Sequence, residues 1–120
     1  MPERSILIVD DDRDLRFSVA QLLEDEGYRV KEAENGRQAL HVLRSAPLPD
    51  LVLLDLMMPV MNGQEFRVEQ LSDPALARVP VALMTAGRID APLCALTPAA
   101  VIRKPIAADE LLSIIEGIVA

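Results

Sequence analysis

The sequence is poor in the residues that build disulfides, zinc sites and aromatic clusters. Among 120 positions it has one cysteine, one histidine, one tyrosine, two phenylalanines and no tryptophan. Cys94 cannot form an internal disulfide, and with His41 it cannot complete a structural zinc cluster, which takes about four ligands. The core must therefore be aliphatic. His41 falls on the apolar side of a helical segment, where we expect it to be half-buried.

Long apolar runs and an excess of basic charge are also missing. No apolar run approaches the ~20 residues that span a bilayer, and the N-terminus lacks the apolar stretch and cleavage site of a secretory signal. We therefore expect a cytoplasmic protein without a membrane partner. Nineteen acidic against twelve basic residues give a net charge of −7. That is the wrong sign for holding a phosphate backbone, so we expect no nucleic acid to bind this domain.

The sequence does contain a regular alternation of apolar segments. Five short segments predict β-strands, and the stretches between them carry apolar residues at helical spacing. Asp109–Val119 predicts a closing helix with one broad apolar face. Strands that alternate with helices indicate an α/β fold, doubly wound around a five-stranded parallel sheet with helices on both faces. The predicted strands are Ser5–Val9, Tyr28–Ala33, Leu51–Leu54, Val81–Met84 and Ala100–Ile102.

Charged and hydroxyl side chains follow four of these five strands. Because ligands of open α/β sheets bind beyond the carboxyl ends of the strands, we expect these side chains to meet at one edge of the sheet. They are Asp10, Asp11 and Asp12 after strand one, Asp55 after strand three, Thr85 after strand four, and Arg103 and Lys104 after strand five.

Carboxylates that lie together repel one another unless a cation neutralises them. Mg²⁺ suits such a place, because it takes one or two carboxylates together with a phosphate. A carboxylate can act as the nucleophile of phosphoryl transfer, while a lysine offsets the phosphate charge and a hydroxyl donates a hydrogen bond. The residue types at this edge therefore indicate phosphoryl-transfer chemistry.

Four segments, in this order and spacing, resemble a response-regulator receiver domain of two-component signalling. The resemblance covers the whole chain and implies one receiver domain over residues 1–120, similar to the single-domain chemotaxis regulators, with strand order 2-1-3-4-5. The segments are ILIVDDDRDLR at Ile6–Arg16, DLVLLDLMMPVMNG at Asp50–Gly63, LMTA at Leu83–Ala86 and RKPI at Arg103–Ile106.

The resemblance assigns the acidic residues. Asp55 matches the phosphoacceptor of the family, because it closes the third strand and is followed by the Met-Pro and Gly of the motif. Asp10 and Asp11 match the acidic pair that holds Mg²⁺, with Asp11 as a direct ligand and Asp10 acting mostly through water. Asp55 and the backbone carbonyl of Met57 complete the protein's share of the metal site. Asp12 lies one place beyond the pair and is expected to be solvated.

The resemblance also assigns Thr85 and Lys104, and the sequence departs from the family pattern in one region. Thr85 matches the hydroxyl residue that turns toward the phosphoryl group, and Lys104 matches the lysine that pairs with it, with a cis peptide bond to the following proline. The stretch between them is shorter than the family pattern and contains Pro92 and Pro98, so we expect the fourth helix to be short or irregular. Val101 stands where the family has an aromatic ring that transmits the switch, so this chain lacks that ring.

The leading hypothesis is a magnesium-dependent switch that accepts a phosphoryl group on Asp55 from a histidine kinase or phosphotransfer protein. The phosphorylated form then binds a downstream protein in trans, as a monomer or weak dimer, and the domain assists its own phosphorylation and dephosphorylation without being an enzyme otherwise. Three alternatives stay open. The domain could be cut from a longer transcriptional or enzymatic regulator, it could be a phosphorylation-independent interaction module, or it could be a haloacid-dehalogenase-type phosphohydrolase with Asp10 as the nucleophile.

Overall fold

The chain folds as alternating strands and helices in a computed structural model that describes residues 4–45, 47–58, 60–87 and 97–119. Every predicted strand is present, and its ends agree with the prediction to within one residue. The closing helix begins one residue earlier than predicted. The elements are β1 (Ser5–Val9), α1 (Arg13–Asp25), β2 (Arg29–Ala33), α2 (Gly36–Ser45), β3 (Leu51–Asp55), α3 (Gly63–Ser72), β4 (Val81–Thr85), β5 (Ala100–Arg103) and α4 (Ala108–Val119).

The five strands form one parallel sheet in the order β2-β1-β3-β4-β5, which confirms the expected order. All five residues of β3 are buried, as a central strand covered on both faces requires. The register pairs Val9 with Leu54 and Thr85 with Arg103. The carboxyl ends of β1, β3, β4 and β5 are therefore level at one edge of the sheet.

Helices cover both faces of the sheet, and each face has its own aliphatic core. Successive strand residues point to opposite faces, so Val52 and Leu54 pack with α2 and α3, whereas Leu51 and Leu53 pack with α1 and α4. Phe66 of α3 is the one fully buried aromatic ring among the described residues. The predicted α/β class and two-sided helix layer are thus confirmed.

Of the expectations about the helices, one is untested and one is wrong. The fourth helix, between β4 and β5, was expected in a stretch that includes residues 88–96, which lie outside the described part of the chain, so its form stays a prediction. The expectation for His41 is wrong, because its side chain is exposed. The buried face of α2 is set by Ala39, Leu40 and Leu43, and a rotation of 100° per residue turns His41 away from it.

Candidate functional site

Three carboxylates meet at the carboxyl edge of the sheet. Asp10 directly follows β1 and Asp55 ends the neighbouring strand β3, so the register of these two strands brings them together. One carboxylate oxygen from each of Asp10, Asp11 and Asp55 lies within 4.8 Å of the others. Asp10 and Asp55 are buried, with 0% and 4% of their surface exposed, whereas Asp11 is exposed.

Asp10 is held by hydrogen bonds with four residues. Its Oδ1 accepts a hydrogen bond from the backbone N–H of Asp12 at 2.9 Å, and its Oδ2 accepts one from Lys104 Nζ at 3.0 Å. Its own N–H donates to the carbonyl of Ala33 in β2, and its carbonyl accepts from the guanidinium of Arg16 at 2.8 Å. The buried carboxylate therefore has a set position before any ligand binds.

Asp55 lies in a surrounding that disfavours its charge. Its Oδ1 accepts a 3.2 Å hydrogen bond from the N–H of Met57 and lies 3.5 Å from Lys104 Nζ. Burial, and after it the charge of Asp10, raises the pKa of Asp55 from 3.8 to about 6, although the Met57 amide and the Lys104 ammonium act in the opposite direction. A further positive charge at this place would stabilise the ionised carboxylate.

Lys104, directly after β5, bridges the two buried carboxylates at the same edge of the sheet. Its N–H donates to the carbonyl of Thr85 at 2.9 Å, and the Lys104–Pro105 peptide bond is cis, as the resemblance implies. Burial lowers the pKa of its ammonium, but the hydrogen bonds and charges of Asp10 and Asp55 outweigh this effect and raise the pKa overall. The ammonium of Lys104 therefore keeps its positive charge between the two carboxylates.

Thr85 closes β4 beside this cluster. It is 5% exposed, and its hydroxyl oxygen accepts a 2.9 Å hydrogen bond from the N–H of Gly87. Since that bond uses the oxygen as an acceptor, the hydroxyl hydrogen stays available to donate. Met57 contributes its backbone here, while its side chain is 78% exposed.

Two features near the site were missed by the sequence analysis. Asp12 is exposed as expected, but it also caps α1, accepting hydrogen bonds from the N–H groups of Asp14 and Leu15; an aspartate just before a helical segment is the signal for such a cap. Arg16 holds the carbonyl of Asp10 and pairs with Glu32 at 3.1 Å. No sequence pattern marks Arg16, because its contacts depend on how α1 packs beside β1 and β2.

The start of α3 packs tightly against the end of β3. The N–H of Gly63 donates to the carbonyl of Leu56 at 3.1 Å, and a Cβ on Gly63 would lie 2.7 Å from the carbonyl oxygen of Asp55. Asn62 and Glu65 form a capping box at the start of α3. Asn-x-x-Glu before a helical segment is the sequence signal of such a box.

The sequence profile of the response regulator receiver domain matches residues 6–116. The chain belongs to this family. Its relatives include the phosphate regulon transcriptional regulatory protein PhoB of Pseudomonas aeruginosa, 40% identical over 86 residues that cover 72% of this chain and 37% of PhoB. PilH of the same organism is 35% identical over 80 residues, which cover 67% of this chain and 65% of PilH. The matched region therefore covers well under half the length of PhoB.

Solved structures agree with the sequence comparison. The chemotaxis response regulator CheY4 of Vibrio cholerae superimposes with a TM-score of 0.90 at 28% identity, covering 98% of this chain and 99% of CheY4.

Receiver domains are signalling domains of two-component systems, and they bind Mg²⁺ at a cluster of acidic residues. They interact with histidine kinases or phosphotransfer proteins and with downstream targets. None of the helices in the described part of this receiver domain has the length and hydropathy of a membrane-spanning segment.

Proposed function

We propose that this receiver domain is a phosphorylation switch whose phosphoacceptor is Asp55. The observation that carries the proposal is the position of this carboxylate, buried at the end of the central strand, with Lys104 Nζ at 3.5 Å and the acids Asp10 and Asp11 beside it. A nucleophilic carboxylate needs neighbours that neutralise the incoming phosphoryl oxygens. Lys104 supplies one positive charge, and a divalent cation held by the acidic residues would supply the rest.

We further propose that Asp10, Asp11, Asp55 and the backbone carbonyl of Met57 hold Mg²⁺. Three carboxylates lie together, and the Lys104 ammonium pairs with two of them, Asp10 and Asp55. The excess of negative charge fits a divalent cation with hard oxygen ligands. Burial and the charge of Asp10 raise the pKa of Asp55 to about 6, and a cation bound between these carboxylates would lower it again. When bound, Mg²⁺ neutralises charge on the carboxylates and on the phosphoryl oxygens.

In the proposed reaction a carboxylate oxygen of Asp55 attacks the phosphorus of the donor. A new O–P bond forms, and the bond from phosphorus to the donor histidine nitrogen, or to the acetate oxygen of acetyl phosphate, breaks with its electron pair staying on the donor. Lys104 pairs with the phosphoryl oxygens, and the Thr85 hydroxyl donates to one of them. Hydrolysis of the resulting aspartyl phosphate returns the domain to its starting state, so the domain assists both steps without acting on another substrate.

The proposed donor is a histidine kinase or phosphotransfer protein, and the output is a changed affinity for a downstream protein in the cytoplasm. The receiver itself, with a net charge of −7, is not proposed to bind nucleic acid. Because PhoB is much longer than the matched region, the domain acts either in trans, as a monomer or weak dimer, or as the receiver of a longer regulator.

Intact-mass measurement with acetyl phosphate tests the proposal. Wild type is expected to gain one phosphoryl group with Mg²⁺ and none with a chelator, and Asp55→Asn is expected to gain none under either condition. Asp25→Asn is the matched control, because it changes an exposed carboxylate of α1, and it should react like wild type.

Two other outcomes would support the alternative functions. Modification of Asp55→Asn that is lost in Asp10→Asn would support the phosphohydrolase alternative. No modification of wild type, with beryllofluoride and Mg²⁺ also failing to bind, would support an interaction module that does not use phosphorylation.

A further inference from the structure

A buried arginine lies in α3, away from the acidic cluster. Arg67 is 5% exposed and Gln70, one turn further along α3, is fully buried. The guanidinium of Arg67 donates to Oε1 of Gln70 at 2.8 Å. Burial lowers the pKa of Arg67, although an arginine keeps its charge in proteins. A buried charge needs hydrogen-bonding partners that compensate for the hydration it has lost.

The partners of Arg67 connect three separate parts of the fold. Its Nη2 donates to the carbonyl of Thr97 at 3.1 Å, across 30 positions of sequence. Thr97 has a φ of 49°, a left-handed conformation that few residues other than glycine adopt. Gln70 donates to the carbonyls of Leu76 and Val79, each at 3.0 Å. Among the described residues no buried side-chain nitrogen or oxygen lacks a partner.

Both ends of this connection lead back to Asp55. On one side α3 begins at Gly63, which packs directly on the carbonyl of Asp55, and Arg67 follows one helical turn later. On the other side Thr97 leads into β5, and β5 leads directly to Lys104, whose Nζ lies 3.5 Å from Asp55 Oδ1. The hydrogen bond from Arg67 to Thr97 therefore joins two segments of the chain, α3 and the lead-in to β5, and each segment has one end beside the proposed acceptor Asp55.

We propose that Arg67 is a positioning residue that couples the chemical state of Asp55 to the position of residues 97–99, the lead-in to β5. The inference rests on the proposed function, because it describes how that switch is transmitted. Val101 in β5 carries no aromatic ring, so a polar connection through α3 supplies a route that does not need one. A phosphoryl group that displaces the loop after Asp55 shifts the start of α3, and the guanidinium carries this shift to Thr97.

The test compares backbone amide NMR signals before and after beryllofluoride is added with Mg²⁺. Arg67→Met removes every donor of the guanidinium at similar length, and Arg67→Lys keeps the charge but loses the planar fork. Arg78→Met is the matched control, because Arg78 is exposed. Leu43→Ala controls for lost stability, because Leu43 is buried in the same apolar core but lies outside this network.

In wild type the signals of Thr97 and Ala99 are expected to shift together with that of Thr85. In Arg67→Met the Thr85 signal should still shift, the mass gain at Asp55 should persist, and the shift at Thr97 and Ala99 should be lost. In the unmodified variant the Ala99 N–H, which donates to Val81, should exchange about tenfold faster with solvent because charge-assisted hydrogen bonds are removed. Arg78→Met and Leu43→Ala should respond like wild type.

Different failures have different meanings. A wild type whose Asp55 takes up neither phosphoryl nor beryllofluoride refutes the proposed function itself. A wild type that is modified but shows no shift at Thr97 or Ala99 refutes the coupling, and this measurement needs no variant. An Arg67→Met protein that responds like wild type, or a Leu43→Ala protein that loses the response equally, also refutes it. If Arg67→Met does not fold, Arg67→Lys decides, because a full response without the fork would contradict the role of Arg67.

Discussion

Replacing Asp55 with asparagine is expected to make the metal-free protein more stable at neutral pH. The structure gives the magnitude, because the carboxyl of Asp55 has a pKa of about 6 in the fold against 3.8 in its ordinary surroundings. At 1.36 kcal/mol per pKa unit, ionisation of Asp55 is about 3 kcal/mol less favourable in the folded state than in ordinary surroundings. Asparagine has nearly the same shape and no charge, and the attraction to Lys104 that it loses is already contained in this net shift. We therefore expect Asp55→Asn to raise the free energy of unfolding by about 1 to 3 kcal/mol at neutral pH.

The pH dependence identifies the cause of this gain. Between pH 3.8 and about 6 the folded protein binds more protons at Asp55 than the unfolded chain does. Raising the pH through this window therefore destabilises wild type through this one group. The difference between Asp55→Asn and wild type should be absent below the window, grow across it and stay constant above it.

Urea unfolding in the presence of a chelator measures this difference, with the helical circular dichroism signal as the probe because the chain has no tryptophan. Asp25→Asn is the control, since Asp25 is an exposed carboxylate whose contact is a hydrogen bond from Gln21 at 3.1 Å. Its effect should stay within about 0.5 kcal/mol and should not follow the Asp55 window. The reasoning is refuted if Asp55→Asn gains no more than Asp25→Asn, or gains equally on both sides of the window. Added Mg²⁺ should reduce the advantage of Asp55→Asn by stabilising wild type.

Three further substitutions address the loop between β3 and α3. Gly63→Ala would place a Cβ 2.7 Å from the carbonyl oxygen of Asp55, so we expect a loss of about 1 to 3 kcal/mol in urea unfolding and slower modification by acetyl phosphate; a variant as stable as wild type would contradict the close approach. Val60 has a left-handed φ of 67°, which strains a valine but not a glycine. Val60→Gly should therefore raise the free energy of unfolding by about 0.5 to 1 kcal/mol, because the relieved strain exceeds the entropy that glycine adds to the unfolded chain. A lower urea midpoint would contradict this strain. Asn62→Ala should lose about 1 kcal/mol by removing the capping box with Glu65, and an unchanged urea midpoint would exclude that contribution.

The fold could be predicted well because its signals are local. Each strand is a short apolar run whose neighbours along the chain are helical, and the alternation of Leu51–Leu54 between two helix-covered faces follows from strand geometry alone. The error at His41 arose from a local pattern as well, since the buried stripe of α2 is narrower than the sequence pattern suggested.

The candidate site could be predicted only in part. The sequence identified which side chains end the strands, and the structure places Asp10, Asp11, Asp55 and Lys104 together. It also shows why Asp55 is difficult to ionise, which depends on burial by the surrounding chain. The roles of these residues in phosphoryl transfer remain proposals, as does the form of the stretch between β4 and β5.

The sequence by itself determined the order of strands and helices, the aliphatic character of the core and the residues that follow each strand, because these depend on neighbours within a few positions. Only the tertiary structure decided that Arg16 holds the carbonyl of Asp10, that Lys104 lies between two carboxylates 94 and 49 positions away in sequence, and that Arg67 reaches Thr97. Such contacts leave no periodic pattern in the chain. They arise from the strand order and from the packing of helices on the sheet, which bring distant residues to one place.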